Sequence, residues 1–179
     1  MQTWIALFRG INVGGNNILP MAELRSGLEA LKFQNVRSYI QSGNVVFESS
    51  SKSAASLGKR IAGWVEEGFG FRPQVLLLKR EDLLAAVEQN PFPGAISEPK
   101  TLHFSFLATT PSKPDHAALE RAKAATERYA LVGSVFYLHA PDGIGRSKLA
   151  ASAEKHLGVV TTSRNYNSVD KLLTLVSQS

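Results

Sequence analysis

The 179-residue sequence contains no cysteine, which excludes disulfide bonds, thiolate nucleophiles and cysteine-ligated metals. It also lacks any apolar run near the roughly 18 residues that a membrane-spanning helix needs. The N-terminus has no basic segment, and its apolar run from Trp4 to Phe8 is too short for a signal peptide. We therefore expect a cytoplasmic protein with no membrane partner.

Established catalytic motifs are missing as well. The sequence has no H-E-x-x-H, no G-x-S-x-G, no G-x-G-x-x-G and no Walker A loop. The histidines show no metal-ligand spacing, and His103, which alternates with apolar residues, is interpreted as structural. No catalytic residue, metal or cofactor is assigned, and the sequence leaves open whether the protein is an enzyme.

The composition is that of a globular protein, with 44% hydrophobic and 20% charged residues. A formal net charge of +5 favours acidic partners, such as phosphorylated metabolites or nucleic acid. Lysine and arginine are spread along the chain without a basic tail, so a solvated basic surface is the alternative explanation of the charge.

Strands and helices alternate in the first 80 residues. Apolar runs predict four strands, and apolar residues at helical spacing predict two helices, which begin near Pro20 and Leu57. The resulting βαββαβ order is the split-βαβ pattern of a ferredoxin-like fold. In that topology, the first β–α loop and the turn between the second and third strands lie at one end of the sheet. The predicted strands are 3–8, 36–40, 45–47 and 73–78.

A Pro/Gly stretch, Asn90–Gly94, is the best candidate boundary in the chain. Beyond it, a stripe from Leu119 to Tyr129 predicts a helix. The other predicted elements are helices at 81–88, 147–157 and around Leu172, and strands at 102–106, 135–138 and 159–161. The expected fold class is α+β, with a ferredoxin-like subdomain at 1–80 and a smaller α/β subdomain at 81–179 packed against it.

Three polar segments share arginine, asparagine, glycine and serine, and each follows an apolar run. They are Arg9–Asn17, Gln41–Asn44 and Thr161–Ser168. Glycine lets a backbone approach a ligand, asparagine both donates and accepts, and arginine offers a fork of donors to an anion. The alternative is structural: the asparagines bond their own loops, Gly43-Asn44 forms an ordinary hairpin turn, and Asn167 caps a helix.

A fourth segment, Asp142–Lys148, joins a strand to the start of a helix, with Ser147 placed as the cap. A strand, a glycine loop and a helix N-terminus in that order favour anion binding, and Lys148 adds a cation there. An ordinary capped helix is the alternative interpretation of this segment.

Five of these motifs resemble a bacterial family, domain-of-unknown-function family sixteen-ninety-seven: Leu7–Gly15, Tyr39–Phe47, Asn90–Phe92, Ser147-Lys148 and 161–172. The resemblance spans nearly the whole chain. It implies a cytosolic protein with a ferredoxin-like portion followed by a second α/β portion. The family usually has tryptophan where Tyr166 stands and threonine where Ser168 stands, and both replacements keep the chemical type. Because the family has no established activity, the resemblance implies no function.

These observations predict that a small anionic ligand, phosphorylated or carboxylated, binds in one polar cleft, either for recognition or for an enzymatic reaction. We expect the second half to fold back so that Arg164 approaches the Arg9 loop. The predicted ligand contacts are Arg9, Asn12, Gly14, Gly15, Asn16, Ser42, Asn44, Ser147, Lys148, Arg164, Asn165 and Tyr166.

The alternative function is a nucleic-acid binding module, because RNA-recognition domains share the ferredoxin-like order. However, the sequence lacks their signature of exposed aromatic residues on the third strand. The apolar first strand further indicates that its sheet is covered on both faces, either by the second half or by a homodimer partner.

Overall fold

The computed structural model describes residues 1–178. The chain forms two compact units: residues 1–85 together with the chain from Asp170 onward, and residues 86–169. Each unit contains one four-stranded antiparallel sheet, so the predicted α+β class is confirmed. The predicted subdomains, 1–80 and 81–179, differ from these units mainly at the C-terminus, because the last helix returns to the first unit.

In the first unit, the elements follow the predicted βαββαβ order. The bounds are β1 Gln2–Arg9, α1 Met21–Ala30, β2 Gln34–Tyr39, β3 Asn44–Ser49, α2 Ala54–Phe69 and β4 Gln74–Lys79. Strand β1 pairs antiparallel with β3 on one side and with β4 on the other, which gives the sheet order β2-β3-β1-β4. Membership of the ferredoxin-like class stays a prediction.

Strand β1 is buried on both faces. Its alternate residues Trp4, Ala6 and Phe8 pack with apolar side chains of α1 and α2 in one core cluster. The residues between them, Ile5 and Leu7, have no exposed surface either. Because the chain itself covers both faces, no homodimer partner is needed to shield this strand.

After β4, the chain continues with α3 Arg80–Glu88, which joins the two units, β5 Leu102–Leu107, α4 His116–Ala122, β6 Arg128–Val132, β7 Val135–His139, α5 Lys148–Leu157, β8 Thr161–Asn165 and α6 Tyr166–Ser177, whose residues from Asp170 onward belong to the first unit. From β5 to β8, the second unit repeats the order of strands and helices of the first unit, with the sheet order β6-β7-β5-β8. The polar composition of β8 conceals part of this repeat in the sequence. Short 3-10 helices cover Pro93–Ser97 and Ile144–Arg146.

The prediction of a helix from Leu119 to Tyr129 is wrong for the second half of that segment. Helix α4 ends at Ala122, and Tyr129 lies in β6, where its ring stacks on Phe136 of β7 with centroids 5.5 Å apart. Cross-strand aromatic pairing of this kind stabilises a sheet. The added strand completes the four-stranded antiparallel sheet of the second unit.

Helices α1 and α2 approach each other closely at Gly27. A β-carbon at that position would lie 1.9 Å from Cζ2 of Trp64, so only glycine fits beside the indole ring. Gly63 is also in α2, but a β-carbon there would meet no atom within 4 Å. Alanine substitutions at the two glycines therefore separate the effect of packing on stability from the effect of helix propensity.

We predict that Gly27→Ala lowers the free energy of unfolding by about 1–3 kcal/mol, because the methyl group overpacks the contact with Trp64. The control, Gly63→Ala, should raise it by about 0.5–1 kcal/mol through helix propensity alone. Urea denaturation followed by circular dichroism measures both values. Equal stability of the two variants would show that α1 and α2 do not pack closely at Gly27.

Candidate functional site

The loop between β1 and α1 is held together by Asn12. Its Nδ2 donates to the carbonyl oxygen of Leu19 at 2.9 Å and to that of Gln41 at 2.8 Å. Its Oδ1 accepts the backbone N–H of Leu19 at 2.8 Å. Both amide hydrogens are therefore used within the protein. This geometry favours the structural alternative for Asn12.

The rest of this loop is also held by hydrogen bonds between its own residues. Asn17 Nδ2 donates to the carbonyl oxygen of Gly10 at 2.9 Å, and the Asn16 N–H donates to that of Val13 at 3.0 Å. The latter bond closes a tight turn whose centre is Gly14-Gly15. A ligand role for Asn16 and the two glycines stays a prediction.

The turn between β2 and β3 lies beside this loop, as the topology predicted. The Phe8 N–H donates to the carbonyl oxygen of Gly43 at 2.9 Å, and Asn12 reaches Gln41 on the same turn. The predicted adjacency of the two segments is therefore confirmed. Asn44 is fully buried, and its Nδ2 donates to Ser42 Oγ at 2.9 Å, so both side chains contribute to the shape of the turn.

Arg9 ends strand β1 and is exposed. Its Nη1 lies 3.4 Å from Oε1 of Gln74, the residue directly opposite it on β4. The guanidinium thus lies at the end of the sheet where β1 ends.

Ser147 is the N-cap of α5, because its Oγ accepts the N–H of Ala150 at 2.9 Å. The predicted cap is confirmed. Lys148 is the first residue of that helix and is exposed. Anion binding at this helix start stays a prediction.

The segment Thr161–Ser168 is not a loop, which corrects the prediction. Its first five residues form β8, and α6 follows at Tyr166 without an intervening residue. The cap of α6 is Asn165 rather than Asn167, since Asn165 Oδ1 accepts the Ser168 N–H at 3.1 Å. Strand β8 escaped prediction because its residues are polar, and only pairing with β5 makes it a strand. The predicted strand at 159–161 therefore lies too early in the chain.

Arg164 belongs to β8 and is half-buried directly opposite Phe104 of β5. Its Nη1 donates to the carbonyl oxygen of Ser163 at 2.8 Å, and burial lowers its pKa to about 10. Tyr166 is buried as well, with its ring centroid 5.7 Å from that of Phe104. Both residues therefore contribute to packing in the second unit. The convergence of Arg164 with Arg9 stays a prediction.

His103 is structural, as the alternating pattern indicated. The ring is buried, its Nε2 lies 3.0 Å from the carbonyl oxygen of Lys100, and burial lowers its pKa. Across residues 1–178, no group of three or more histidine, aspartate or glutamate residues is arranged to hold a metal ion.

A polar pocket of about 590 Å³ lies at the other end of the first sheet, where β1 begins and β3 and β4 end. Its charged lining residues are Lys52, Arg80 and Glu81, and its hydroxyl groups come from Thr3, Ser49 and Ser50. The first two residues of the chain complete the lining.

Sequence reasoning missed this pocket because its residues come from three distant segments. Antiparallel pairing of Gln2 with Ser49 brings the first two segments together, and the β4–α3 junction adds Arg80. The available signal was the run Ser49-Ser-Ser-Lys-Ser53, directly after an apolar strand.

Comparison with known families gives one assignment. Residues 1–137 match the family described as "Protein of unknown function (DUF1697)". The chain belongs to this family. The predicted resemblance is therefore confirmed, and the family description supplies no activity.

A solved structure with a similar fold is that of a conserved bacterial protein from Streptococcus pneumoniae. It is 27% identical in sequence, with a TM-score of 0.71, and the match covers 98% of each chain. No curated protein matches the chain. Within residues 1–178, every helix is too short or too polar to cross a membrane.

We predict that Asn12→Ala destabilises the protein through the loss of its three hydrogen bonds. The matched control is Asn35→Ala, because Asn35 has a similar left-handed φ, 51° against 54°, and its exposed side chain has no hydrogen bond within residues 1–178. The free energy of unfolding of Asn12→Ala should be about 2 kcal/mol lower than that of Asn35→Ala. Chemical denaturation of both variants measures the difference, and equal stabilities would contradict the structural role of Asn12.

Proposed function

We propose that the protein binds a small anionic ligand, phosphorylated or carboxylated, in the pocket lined by Lys52 and Arg80. The observation that carries this proposal is the presence of two cationic side chains and three hydroxyl-bearing residues around one concave surface. A volume of about 590 Å³ suits a small molecule. Hydrogen bonds between cationic side chains and an anion contribute about 1.5–3 kcal/mol each.

The backbone on one side of the pocket is fixed before any ligand arrives. Ser49 Oγ accepts the N–H of Ser51 at 3.2 Å, and Ser51 Oγ accepts the N–H of Ser53 at 3.3 Å. The carbonyl oxygen of Ser51 also accepts the indole N–H of buried Trp4 at 3.2 Å. A preorganised loop loses little conformational entropy on binding, which supports recognition by the adjacent Ser50 and Lys52.

The polar cleft predicted from the sequence is a second location for the same class of ligand. Its proposed cations are Arg9, Lys148 and Arg164, and its tyrosine is Tyr166. The support for it is weaker, because Asn12, Asn44, Ser147 and Asn165 direct polar atoms into the protein itself. We therefore place the anion at Lys52 and Arg80 and use the predicted cleft as the competing location.

The nucleic-acid alternative has less support. Proteins that read RNA on a sheet stack bases on exposed aromatic side chains. In the first unit, Trp4 and Phe8 of β1 and Phe47 of β3 have 1% or less of their surface exposed. This sheet therefore offers none of these three rings to a base.

The test is isothermal titration calorimetry with inorganic phosphate, pyrophosphate and citrate as defined probes. We expect an affinity between roughly millimolar and micromolar for at least one probe. Lys52→Ala and Arg80→Ala should each weaken that affinity by about tenfold or more, because each removes one charge-assisted bond.

The control is Lys59→Ala, which removes the same charge from an exposed position of α2 outside the pocket. Arg9→Ala and Arg164→Ala test the competing cleft in the same assay, with folding checked by circular dichroism. Unchanged affinity in both Lys52→Ala and Arg80→Ala would exclude the pocket. Loss of binding in the Arg9 and Arg164 variants would then assign the anion to the predicted cleft.

A further inference from the structure

A second pocket, of about 530 Å³, lies between helices α1 and α2 of the first unit. Two aromatic side chains line it, Trp64 and Phe69, and both are half-buried. Their rings meet edge to face, with centroids 5.6 Å apart and 60° between the ring planes. Among the described residues, Glu23 is the charged one in the lining. Small residues complete this α1–α2 pocket: Ala22, Ser26, Gly27 and Gly68.

The spacing along α1 brings the carboxylate next to the indole ring. Glu23 lies four residues before Gly27, so the two positions are neighbours on one face of the helix. A β-carbon at Gly27 would lie 1.9 Å from Cζ2 of Trp64 and 2.3 Å from each of the ring atoms Cε2 and Cη2. Three distances this short and this similar place that position over the face of the ring. The indole therefore rests against α1, one helical turn from Glu23.

The carboxylate of Glu23 is available to a ligand. Within residues 1–178, its side chain forms neither an ion pair nor a hydrogen bond. The arginines nearest to the lining residues in sequence have other partners: Arg25 donates to Ser38 Oγ at 2.7 Å, and Arg72 pairs with Glu66. On a chain with a formal net charge of +5, this pocket thus offers one unpaired negative charge and no lysine or arginine in its described lining.

Two aromatic rings beside a carboxylate favour a cation that also has apolar surface. The quadrupole of an aromatic ring attracts a cation within about 6 Å of its centroid, and tryptophan attracts it most strongly. Quaternary ammonium groups are the ligands typically held in this way, because their methyl groups contact the rings while the charge remains. A volume of about 530 Å³ suits a small molecule.

We propose that the α1–α2 pocket binds a small molecule with a methylated ammonium group, which contacts the rings of Trp64 and Phe69 and pairs with the carboxylate of Glu23. The packing of Trp64 on Gly27 fixes the indole before the ligand arrives, so little conformational entropy is lost on binding. The inference is independent of the anion proposal, because this pocket shares no lining residue with the Lys52–Arg80 pocket.

The test is an NMR titration of the full chain with choline, followed through the two tryptophan indole N–H resonances. We expect choline to shift the Trp64 resonance with a dissociation constant near millimolar and to leave that of Trp4, which is buried in β1, unchanged. The neutral molecule of the same shape, 3,3-dimethyl-1-butanol, should bind about tenfold more weakly. A Trp64→Phe variant assigns the two resonances.

Two variants separate charge from ring contact. Glu23→Gln should weaken choline about fivefold or more and leave the affinity for dimethylbutanol unchanged, because only choline is charged. Phe69→Leu keeps an apolar side chain without a ring, so it should weaken choline by about threefold or more. The matched control is Glu29→Gln, which removes the same charge from an exposed position of α1 outside the pocket. Thermal unfolding checks that each variant is folded.

Failure of choline to shift the Trp64 resonance would overturn the proposal. Equal affinity for choline and dimethylbutanol, or equal losses in Glu23→Gln and Glu29→Gln, would do so too, because the site would then not recognise charge. Binding of phosphatidylcholine vesicles or of a trimethyllysine peptide without binding of free choline would also contradict it, since the ligand would then be a lipid or a protein. None of these outcomes affects the affinity for phosphate, pyrophosphate or citrate at Lys52 and Arg80.

Discussion

Strand β1 is paired on both edges and buried on both faces, and the rest of the first unit depends on this position. An apolar strand that is fully enclosed cannot shift its register without exposing its core residues. Its two ends are therefore fixed points. The Lys52–Arg80 pocket forms around its start, and the loop held by the Asn12 hydrogen bonds lies beyond its end. One physical constraint thus positions both the pocket and this loop.

Asparagine and serine explain why polar motifs are ambiguous in a single sequence. Their side chains bond a nearby backbone as readily as they bond a ligand. In this protein, Asn12 closes the β1–α1 loop through hydrogen bonds to Leu19, and Asn44 supports a turn. Asn165 and Ser147 cap helices. Several donors and acceptors of the segments that marked a ligand site thus have partners within the protein, and their ligand role stays a prediction.

The second unit shows how pairing overrides local pattern. Tyr129 continues a helical stripe in the sequence, yet it stacks on Phe136 across a pair of strands. Strand β8 has the polar composition of a loop, and its pairing with β5 includes a hydroxyl contact of 3.1 Å between Ser105 and Ser163. Both strands are recognised only when the neighbouring strand is in place. The repetition of one topology in both units is visible for the same reason only in three dimensions.

The sequence by itself determined the α+β class, the element order of the first unit, the family and the adjacency of two loops. These features follow from hydrophobic periodicity and turn residues, which act over short separations along the chain. Only the tertiary structure decided that Asn12 bonds Gln41 and that Ser49 and Arg80 line one pocket with Thr3. These residues are 29 or more positions apart, and strand pairing alone brings them together. The physical reason is that long-range packing sets the hydrogen-bond partners and the concave surfaces. The local composition of the sequence does not determine that packing.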